Sequence, residues 1–488
     1  MQDIPGYYFD VEKNRYFKEQ KGAPAEKAFS SHDIKRRKLR DEYSSLSDAS
    51  ANSRRAKIIE TSISGGFLSR ELGLGNHPKV PEIFAAGLKP SRNVYEFDSS
   101  LEVDDAIFDV EYRENKTVAG SITVECRIAY NSGMVRSYWR DQVSRFDFKM
   151  GRRSLTYLHG QDGTPSSMSS NKECSRHLTT VMTDNSLVGI VINSSRDPDQ
   201  EQTEDQHPIV MAGPGYSRGN HTNVFSSAPA NNNPSIYFAC GTSHGILSID
   251  KNLSPSWITP AKDSKTGRLP ESCPKDIFAL QFLSEAPSVL LSGGREGLLQ
   301  ISDMRVPHPF QDNVDYIYHP STIAHIKQLD THRIIVAGLN SSLCQYDLRY
   351  RGKDKLKRVP VNSQNRFQQV GHWHRYATRP IVEYPEYFNT ATIRCGFDVD
   401  IASGIVAASQ EQDEQHPAIQ LFSLNGGHVL KSALQTDPHT RPTRNYDGDH
   451  IRCLRLARDT ENGMKSLYFT TKDQIHHYSW EHLGCDEA

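Results

Sequence analysis

A short pattern recurs six times along this chain and limits its possible folds more than any other feature of the sequence. Each copy begins with turn-type or small residues, has an apolar residue at its fourth position and, in most cases, ends in an aromatic or small residue followed by a polar one. The copies are SGMVRSYW (132–139), HGILSIDK (244–251), EGLLQISD (296–303), NSSLCQYD (340–347), HPAIQLFS (416–423) and KDQIHHYS (472–479). Several follow an apolar run with small residues, such as YFACGTS, VLLSGGR and IIVAGL. The pattern predicts two adjacent strands joined by a tight turn.

The spacing of the copies indicates the architecture. The step from 303 to 347 matches one four-stranded propeller blade, roughly 40–45 residues, and longer steps leave room for loop insertions. The step from 139 to 251 has space for one divergent blade, using TTVMTDNSLVGIVI (179–192) and HPIVMAG (207–213). The sequence therefore predicts an all-β, WD-type β-propeller of seven blades over residues 81–488. A sandwich or barrel is the alternative, but neither requires one strand-turn-strand signature to recur along the chain.

Residues 19–80 have the composition of a polar arm. KEQKGAPAEKAFSSHD and SSLSDASANS cannot bury enough apolar surface to fold alone, so the arm is expected to be largely disordered. Within residues 53–75, apolar side chains recur at helical spacing and are interrupted by Gly65 and Gly66. That segment predicts two short helices separated by a loop.

Residues 1–18 form an aromatic segment ahead of the arm. YYFD and RYFK flank the polar VEKN, an arrangement that predicts a hairpin. Two strands alone are marginally stable in water. We therefore expect the aromatic side chains to dock on the propeller or on a partner; the candidates are Tyr8, Phe9, Tyr16 and Phe17.

Charge and cysteine usage narrow the class of protein. The net charge is −2, which argues weakly against a dedicated nucleic-acid binder, and no apolar run approaches the length needed to cross a membrane. The eight scattered cysteines indicate reduced thiols of an intracellular protein. KRRKLR (35–40) is either a nuclear-import signal or a solvated basic run, so a nuclear and/or cytoplasmic location is expected.

Catalytic patterns are scarce. The glycine-rich SGGREG (292–297) lacks the Gly-Lys-Ser/Thr ending of a phosphate-binding loop and is predicted to be a strand turn. His476 and His477 are adjacent on a predicted strand, so their side chains point to opposite faces and could not share a metal. We expect no cofactor, no metal and no enzymatic activity.

Two of the copies end in an Asp-x-Arg box. Asp303 and Arg305 form one, and Asp347 and Arg349 form the other. In the simpler interpretation, each aspartate caps a turn and each arginine makes a solvated ion pair worth under about 1 kcal/mol. Equivalent positions of adjacent blades lie on the same face, however, so the two arginines would be presented together. Arginine is among the residue types most enriched in interface hot spots.

The doubled box resembles that of the WD-repeat substrate receptors of cullin-four RING ubiquitin ligases. IPGYYFDVEKNRYFK also resembles closely a segment near the start of one receptor type in this family; the matching residues are Pro5, Gly6, Tyr8, Phe9, Asp10, Lys13, Asn14, Arg15, Tyr16 and Phe17. The repeats depart from the WD consensus, because most lack tryptophan and a Gly-His pair is not evident.

The resemblance implies a non-catalytic receptor that presents an unknown target protein for ubiquitination. In that family the arginines contact the damaged-DNA-binding adaptor protein that links the receptor to the cullin, often with a helix-loop-helix before the propeller. Here those residues would be Arg305 and Arg349, positioned by Asp303 and Asp347, and residues 53–75 are the candidate helical element. One alternative is a general scaffold of a nuclear complex. A propeller enzyme is a second alternative, which the sequence favours less.

Overall fold

A computed structural model gives the fold of the chain. It describes residues 7–10, 15–18, 80–90, 95–96, 107–114, 122–129, 134–140, 149–150, 156–157, 163–171, 176–183, 188–194, 207–211, 223–258, 276–306, 315–350, 378–411, 416–435, 451–458, 465–471 and 474–480. Predictions for residues 53–75 and 35–40 lie outside these ranges.

The N-terminal elements are one hairpin, one helix and two short strands. They are β1 (Tyr7–Asp10), β2 (Arg15–Lys18), α1 (Val80–Gly87), β3 (Leu88–Pro90) and β4 (Tyr95–Glu96). Strands β1 and β2 pair antiparallel, which confirms the predicted hairpin. Helix α1 is the only α-helix in the described ranges, and no helix there has the length and apolar character needed to cross a bilayer.

The remaining strands form seven antiparallel sheets, numbered here in chain order. Sheet 1 contains β5 (Ile107–Glu114), β6 (Ile122–Ala129), β7 (Met134–Arg140), β8 (Lys149–Met150) and β9 (Thr156–Tyr157). Sheet 2 contains β10 (Gly163–Asn171), β11 (Arg176–Thr183), β12 (Val188–Ser194) and β13 (His207–Met211). Sheet 3 contains β14 (Val224–Pro229), β15 (Ile236–Thr242), β16 (Gly245–Asp250) and β17 (Pro255–Trp257).

The other four sheets follow the same order. Sheet 4 contains β18 (Ile277–Phe282), β19 (Val289–Gly294), β20 (Leu298–Asp303) and β21 (Asp315–Tyr318). Sheet 5 contains β22 (Ile323–Gln328), β23 (Arg333–Gly338), β24 (Leu343–Asp347) and β25 (Val382–Glu383). Sheet 6 contains β26 (Phe397–Asp400), β27 (Ile405–Ser409) and β28 (Ile419–Ser423); sheet 7 contains β29 (Leu454–Arg458), β30 (Lys465–Thr471) and β31 (Gln474–Trp480).

The first strands of the seven sheets form a closed ring. Each lies beside the first strand of the next sheet, in the order β5, β10, β14, β18, β22, β26 and β29, and β29 lies beside β5. A closed circle of antiparallel sheets is a β-propeller, so the sheets are hereafter called blades 1 to 7. The predicted fold class and blade number are confirmed. All six copies of the sequence pattern coincide with the third strand of a blade to within one residue at its end, and the predicted divergent blade is blade 2.

Residues from the two ends of the propeller complete blade 7. Strand β3 pairs with β31, the last strand among the described residues, with Leu88 opposite Trp480 and Pro90 opposite Tyr478. The preceding helix α1 contacts β28 of blade 6, and in the described residues after β28 there is a single bridge from Phe422 to Val429 and a 3-10 helix at Ala433–Gln435. The segment 80–90 therefore spans blades 6 and 7.

The core lies between neighbouring blades. A cluster between blades 6 and 7 includes Ala85 and Leu88 of the N-terminal segment together with Ile419, Leu434 and Phe469, all fully buried. Similar clusters lie between blades 4 and 5 and between blades 5 and 6. In the described residues of blades 4 to 7, apolar side chains on both faces of the sheets supply this packing.

Candidate functional site

The two Asp-x-Arg boxes form equivalent turns at the ends of β20 and β24. Asp303 lies opposite Val289 on β19, and Asp347 lies opposite Arg333 on β23. After each aspartate the chain turns at once, because the amide of Val306 donates to the carbonyl of Asp303 at 3.3 Å and that of Tyr350 donates to the carbonyl of Asp347 at 3.1 Å. The residue between the aspartate and the arginine of each box is also held by a backbone hydrogen bond.

Each middle residue donates its amide to the loop between the first and second strands of the same blade. Met304 N–H reaches the carbonyl of Ser288 at 2.8 Å, and Leu348 N–H reaches that of His332 at 2.7 Å. Both boxes are thus held by the same set of backbone contacts, and they lie at the same edge of two adjacent blades.

Within each box the aspartate holds the arginine. Arg305 donates from its amide to Asp303 Oδ1 at 3.0 Å, from Nε to Oδ1 at 2.9 Å and from Nη2 to Oδ2 at 2.5 Å. Arg349 makes the corresponding contacts to Asp347 at 2.9, 3.0 and 2.6 Å. The carboxylate therefore fixes both the turn and the direction of the guanidinium, a bidentate arrangement that lysine could not reproduce.

The two arginines are exposed, while their carboxylates are partly covered. The side chains of Arg305 and Arg349 are 75% and 62% exposed, against 31% for Asp303 and 8% for Asp347. Side-chain hydrogen bonds from Arg305 lower the pKa of Asp303, and those from Arg349 lower the pKa of Asp347. Both aspartates are accordingly charged at neutral pH, so the pairs persist there.

Further contacts connect the two blades at this edge. The amide and hydroxyl of Ser284 on blade 4 donate to Gln328 Oε1 on blade 5 at 2.8 and 3.1 Å. Thr331 of blade 5 donates to Glu285 of blade 4 at 2.7 Å. These contacts help to fix the relative placement of the loops beside the boxes.

The flanking blades carry no arginine at this position. On blade 3 the equivalent turn has Asp250 followed two residues later by Asn252, whose amide donates to the Asp250 carboxylate at 2.9 Å. On blade 6 the equivalent residues are Ser423 and Asn425, and the Leu424 amide donates to the Gly404 carbonyl at 2.8 Å. Among blades 3 to 6, an arginine two residues after the end of the third strand is therefore restricted to blades 4 and 5.

A histidine network on blade 5 was not identified in the sequence. His319 Nδ1 lies 2.9 Å from the Tyr346 hydroxyl, and its Nε2 lies 2.6 Å from Ser342 Oγ. Burial lowers the pKa of His319 to about 3, so the ring is neutral. Tyr346 occupies the position of the usual tryptophan. The signal was His319, just before the first strand of the blade, but the preceding residue is Tyr318 rather than glycine.

The other candidate residues have structural roles. His476 stacks on Phe469 and His477 stacks on Tyr468, with ring centroids 4.9 and 4.4 Å apart. In the parts of the chain that the structure describes, no three His, Cys, Asp or Glu side chains lie together as a metal site would require. Residues 295–297 of SGGREG form the turn between β19 and β20, whereas residues 292–294 belong to β19, and Gly297 has a φ of 69°.

The aromatic hairpin has a defined register. Tyr8 lies opposite Phe17, and Phe9 lies opposite Tyr16. The register brings the four predicted docking residues into two adjacent aromatic pairs. What they dock on stays a prediction.

The closed ring of seven sheets defines this protein as a seven-bladed β-propeller. No protein-family model matches the sequence, and no curated protein matches it. Among solved structures, the chain is similar to the β-propeller domain of Cps50 (Swd1) from Myceliophteria thermophila, with 11% sequence identity and a TM-score of 0.45. The similarity covers 80% of this chain and 99% of that domain.

Proposed function

We propose that this protein is a non-catalytic substrate receptor of a cullin-RING ubiquitin ligase and that Arg305 and Arg349 bind the ligase adaptor. The observation that carries the proposal is the pair of aspartate-held arginines at one edge of adjacent blades, with asparagine at the equivalent position on both sides. If the boxes served only to cap turns, blades 3 and 6 indicate that arginine would not be needed.

The sequence resemblance supports the same assignment. The family of cullin-four receptors uses a doubled Asp-x-Arg box to contact the damaged-DNA-binding adaptor protein. The opening segment resembles the receptors of the WD-repeat protein 21 type, and its hairpin has the paired strands that the sequence predicts. Residues 53–75 are the proposed helical element, and a nuclear and/or cytoplasmic location remains the expectation.

The proposed mechanism is proximity. A receptor that holds a target beside the conjugating enzyme converts a bimolecular encounter into an effectively intramolecular transfer, and this can supply a large part of the rate. The receptor itself then needs no bond-making residue, no cofactor and no metal. Its target is a protein whose identity the proposal leaves open.

Affinity purification of the tagged full-length protein tests the adaptor site. We expect the wild type to recover the adaptor and the cullin, and the double variant Arg305→Ala, Arg349→Ala to recover neither. Arg295→Ala is a matched control, because Arg295 is also exposed and paired with an aspartate, Asp276, at 2.6 Å, but lies at the opposite edge of blade 4. Recovery by Arg295→Ala should equal that of the wild type.

Folding of the variants is checked by thermal melting, since exposed substitutions usually change stability by no more than about 0.5 kcal/mol. Recovery of neither protein by the wild type would contradict the receptor proposal and favour a scaffold unrelated to ubiquitin.

A further inference from the structure

The edge that carries the two boxes also carries the exposed large apolar side chains of the described residues. There are four: Ile83, Val306, Tyr350 and Ile401. Single exposed apolar residues are ordinary on protein surfaces. Here, however, all four lie at one edge of the propeller, on blades 4, 5 and 6 and on the helix beside blade 6.

Val306 and Tyr350 occupy the same position in their two turns. Each follows the box arginine directly and closes the turn through its amide. On blade 3 the equivalent amide belongs to Leu253, which is half-buried and packs against the core of its blade. On blades 4 and 5 the apolar residue instead projects into solvent, and Tyr350 is 74% exposed.

Ile401 and Ile83 extend this surface beyond the boxes. Ile401 begins the turn between β26 and β27, at the edge where β24 ends on the neighbouring blade. Ile83 lies on α1, which is attached to the same edge because Glu82 and His428 Nε2 are 3.1 Å apart. His428 follows the end of β28. We call Ile83, Val306, Tyr350 and Ile401 the apolar anchors.

Among the described residues of this edge, three arginines are each paired with an aspartate of their own turn. Arg305 and Arg349 are paired with their own aspartates, and Arg333 Nε lies 2.5 Å from Asp330 Oδ2. In both boxes the aspartate engages Nε and Nη2, and Nη1 makes no hydrogen bond to any described residue. Each Asp-Arg pair therefore has little net charge, and its arginine offers an oriented donor, Nη1.

From this combination we infer that the adaptor is held mainly by the apolar anchors, with Tyr350 the central contact, while the two arginines supply oriented hydrogen bonds rather than long-range attraction. The inference rests on the proposed function. The partner surface that fits is apolar, with carbonyl or carboxylate acceptors placed opposite Arg305 and Arg349. A strongly acidic surface is not required, because the box aspartates already balance the arginines.

Equilibrium binding of the purified full-length protein to purified damaged-DNA-binding adaptor tests the inference. We expect Tyr350→Ala to raise the dissociation constant about tenfold or more, as for a hot-spot aromatic residue. Tyr350→Phe should change the constant less than about threefold. Ile401→Ser should also weaken binding, and Arg295→Ala should not. Raising the salt from about 0.05 M to about 0.5 M, which shortens the Debye length severalfold, should change the constant less than about threefold.

The outcomes separate the inference from the proposed function. Suppose that the wild type binds, that the double arginine variant does not, and that Tyr350→Ala binds as tightly as the wild type. The proposed adaptor site is then supported, and the inference that the apolar anchors hold the adaptor is wrong. A strong salt dependence would likewise overturn the inference alone. If wild type does not bind the adaptor at any salt concentration, both the proposed function and the inference fail.

Discussion

Asp347 and Asp303 make the same contacts in different surroundings, and this difference predicts unequal costs of substitution. The Asp347 side chain is 8% exposed and that of Asp303 is 31% exposed. Hydrogen bonds to charged groups contribute about 1.5–3 kcal/mol when they are shielded from water, and less at the surface. We expect Asp347→Asn to lower the free energy of unfolding by about 1–2 kcal/mol and Asp303→Asn by under about 1 kcal/mol.

Urea unfolding of the two variants beside wild type measures this difference. Both substitutions preserve the size of the side chain, so a change in packing does not account for a difference between the two variants. A larger loss for Asp303→Asn would show that exposure does not determine the contribution of the box.

Two buried histidines predict how stability depends on pH. Burial lowers the pKa of His319 from 6.5 to about 3 and that of His325 from 6.5 to about 4. Between these values and 6.5 the unfolded chain binds the protons and the folded chain does not. The free energy of unfolding therefore rises with pH in this window, by up to about 1.4 kcal/mol per pH unit for each histidine.

Urea unfolding between about pH 4 and pH 7 measures the slope. The pKa values of the box aspartates are lowered from 3.8 in the folded chain, so their stabilisation is lost only as the unfolded carboxylates bind protons, from about pH 5 downward, and they add nothing to the slope between about pH 5 and pH 7. His325→Gln should lower the slope by an amount corresponding to up to one proton, because glutamine does not titrate. Glutamine can still donate to the Cys395 carbonyl, which His325 Nε2 contacts at 2.6 Å, so this hydrogen bond can be kept. An unchanged slope would contradict this assignment.

The small residues at the ends of the second strands have a specific packing role. Strand β15 ends with Gly241 followed by Thr242, and a Cβ on Gly241 would lie 2.5 Å from the carbonyl oxygen of Ile277 on the next blade. A Cβ on Gly293 of β19 would lie 2.7 Å from the Ile323 side chain. The glycines let the first strand of the following blade pass close to these strands.

These contacts predict a ranking of two substitutions. Gly241→Ala meets a backbone atom, which cannot move without shifting a strand, whereas Gly293→Ala meets a side chain. We expect a loss of about 1–3 kcal/mol for overpacking, with Gly241→Ala at the upper end. Thermal or urea unfolding measures both; equal or smaller effects for Gly241→Ala would contradict the packing explanation.

Local pattern explains which elements were predictable. The second and third strands of each blade are neighbours in sequence, joined by short turns, so their apolar runs and turn residues identify them. Strand β3 has only three residues, LKP, and its partner β31 lies at the other end of the chain. Strand β25 follows β24 only after a long insertion. Such distant pairings leave little local signal.

The candidate site was predictable to a similar degree. The box residues stand out in the sequence because both copies end alike, and the propeller then places them on one edge. The apolar anchors were not identified, since Ile83, Tyr350 and Ile401 belong to different elements. Exposure of an apolar side chain depends on packing by distant residues, and no local pattern encodes it.

At the level of the entire ring, the segment 80–90 precedes blade 1 in sequence but packs on blades 6 and 7, so it connects the two ends of the propeller sequence. Leu88 is fully buried between blades 6 and 7, and its strand completes blade 7. Replacing a buried leucine by alanine costs about 2–5 kcal/mol. Because the first strands form a closed ring, with each blade packed against two others, we expect this loss to weaken the propeller as one cooperative unit.

Native-state hydrogen exchange of Leu88→Ala tests this cooperativity. The slowest amides of blade 4, on the other side of the ring, should lose protection by the same factor as those of blade 7, because both exchange through global opening. Lys89→Ala is the matched control: Lys89 is the next residue of β3, is exposed, and should change stability by no more than about 0.5 kcal/mol. If protection falls only in blades 6 and 7, the ring opens locally at its closure and the remaining blades hold together without it.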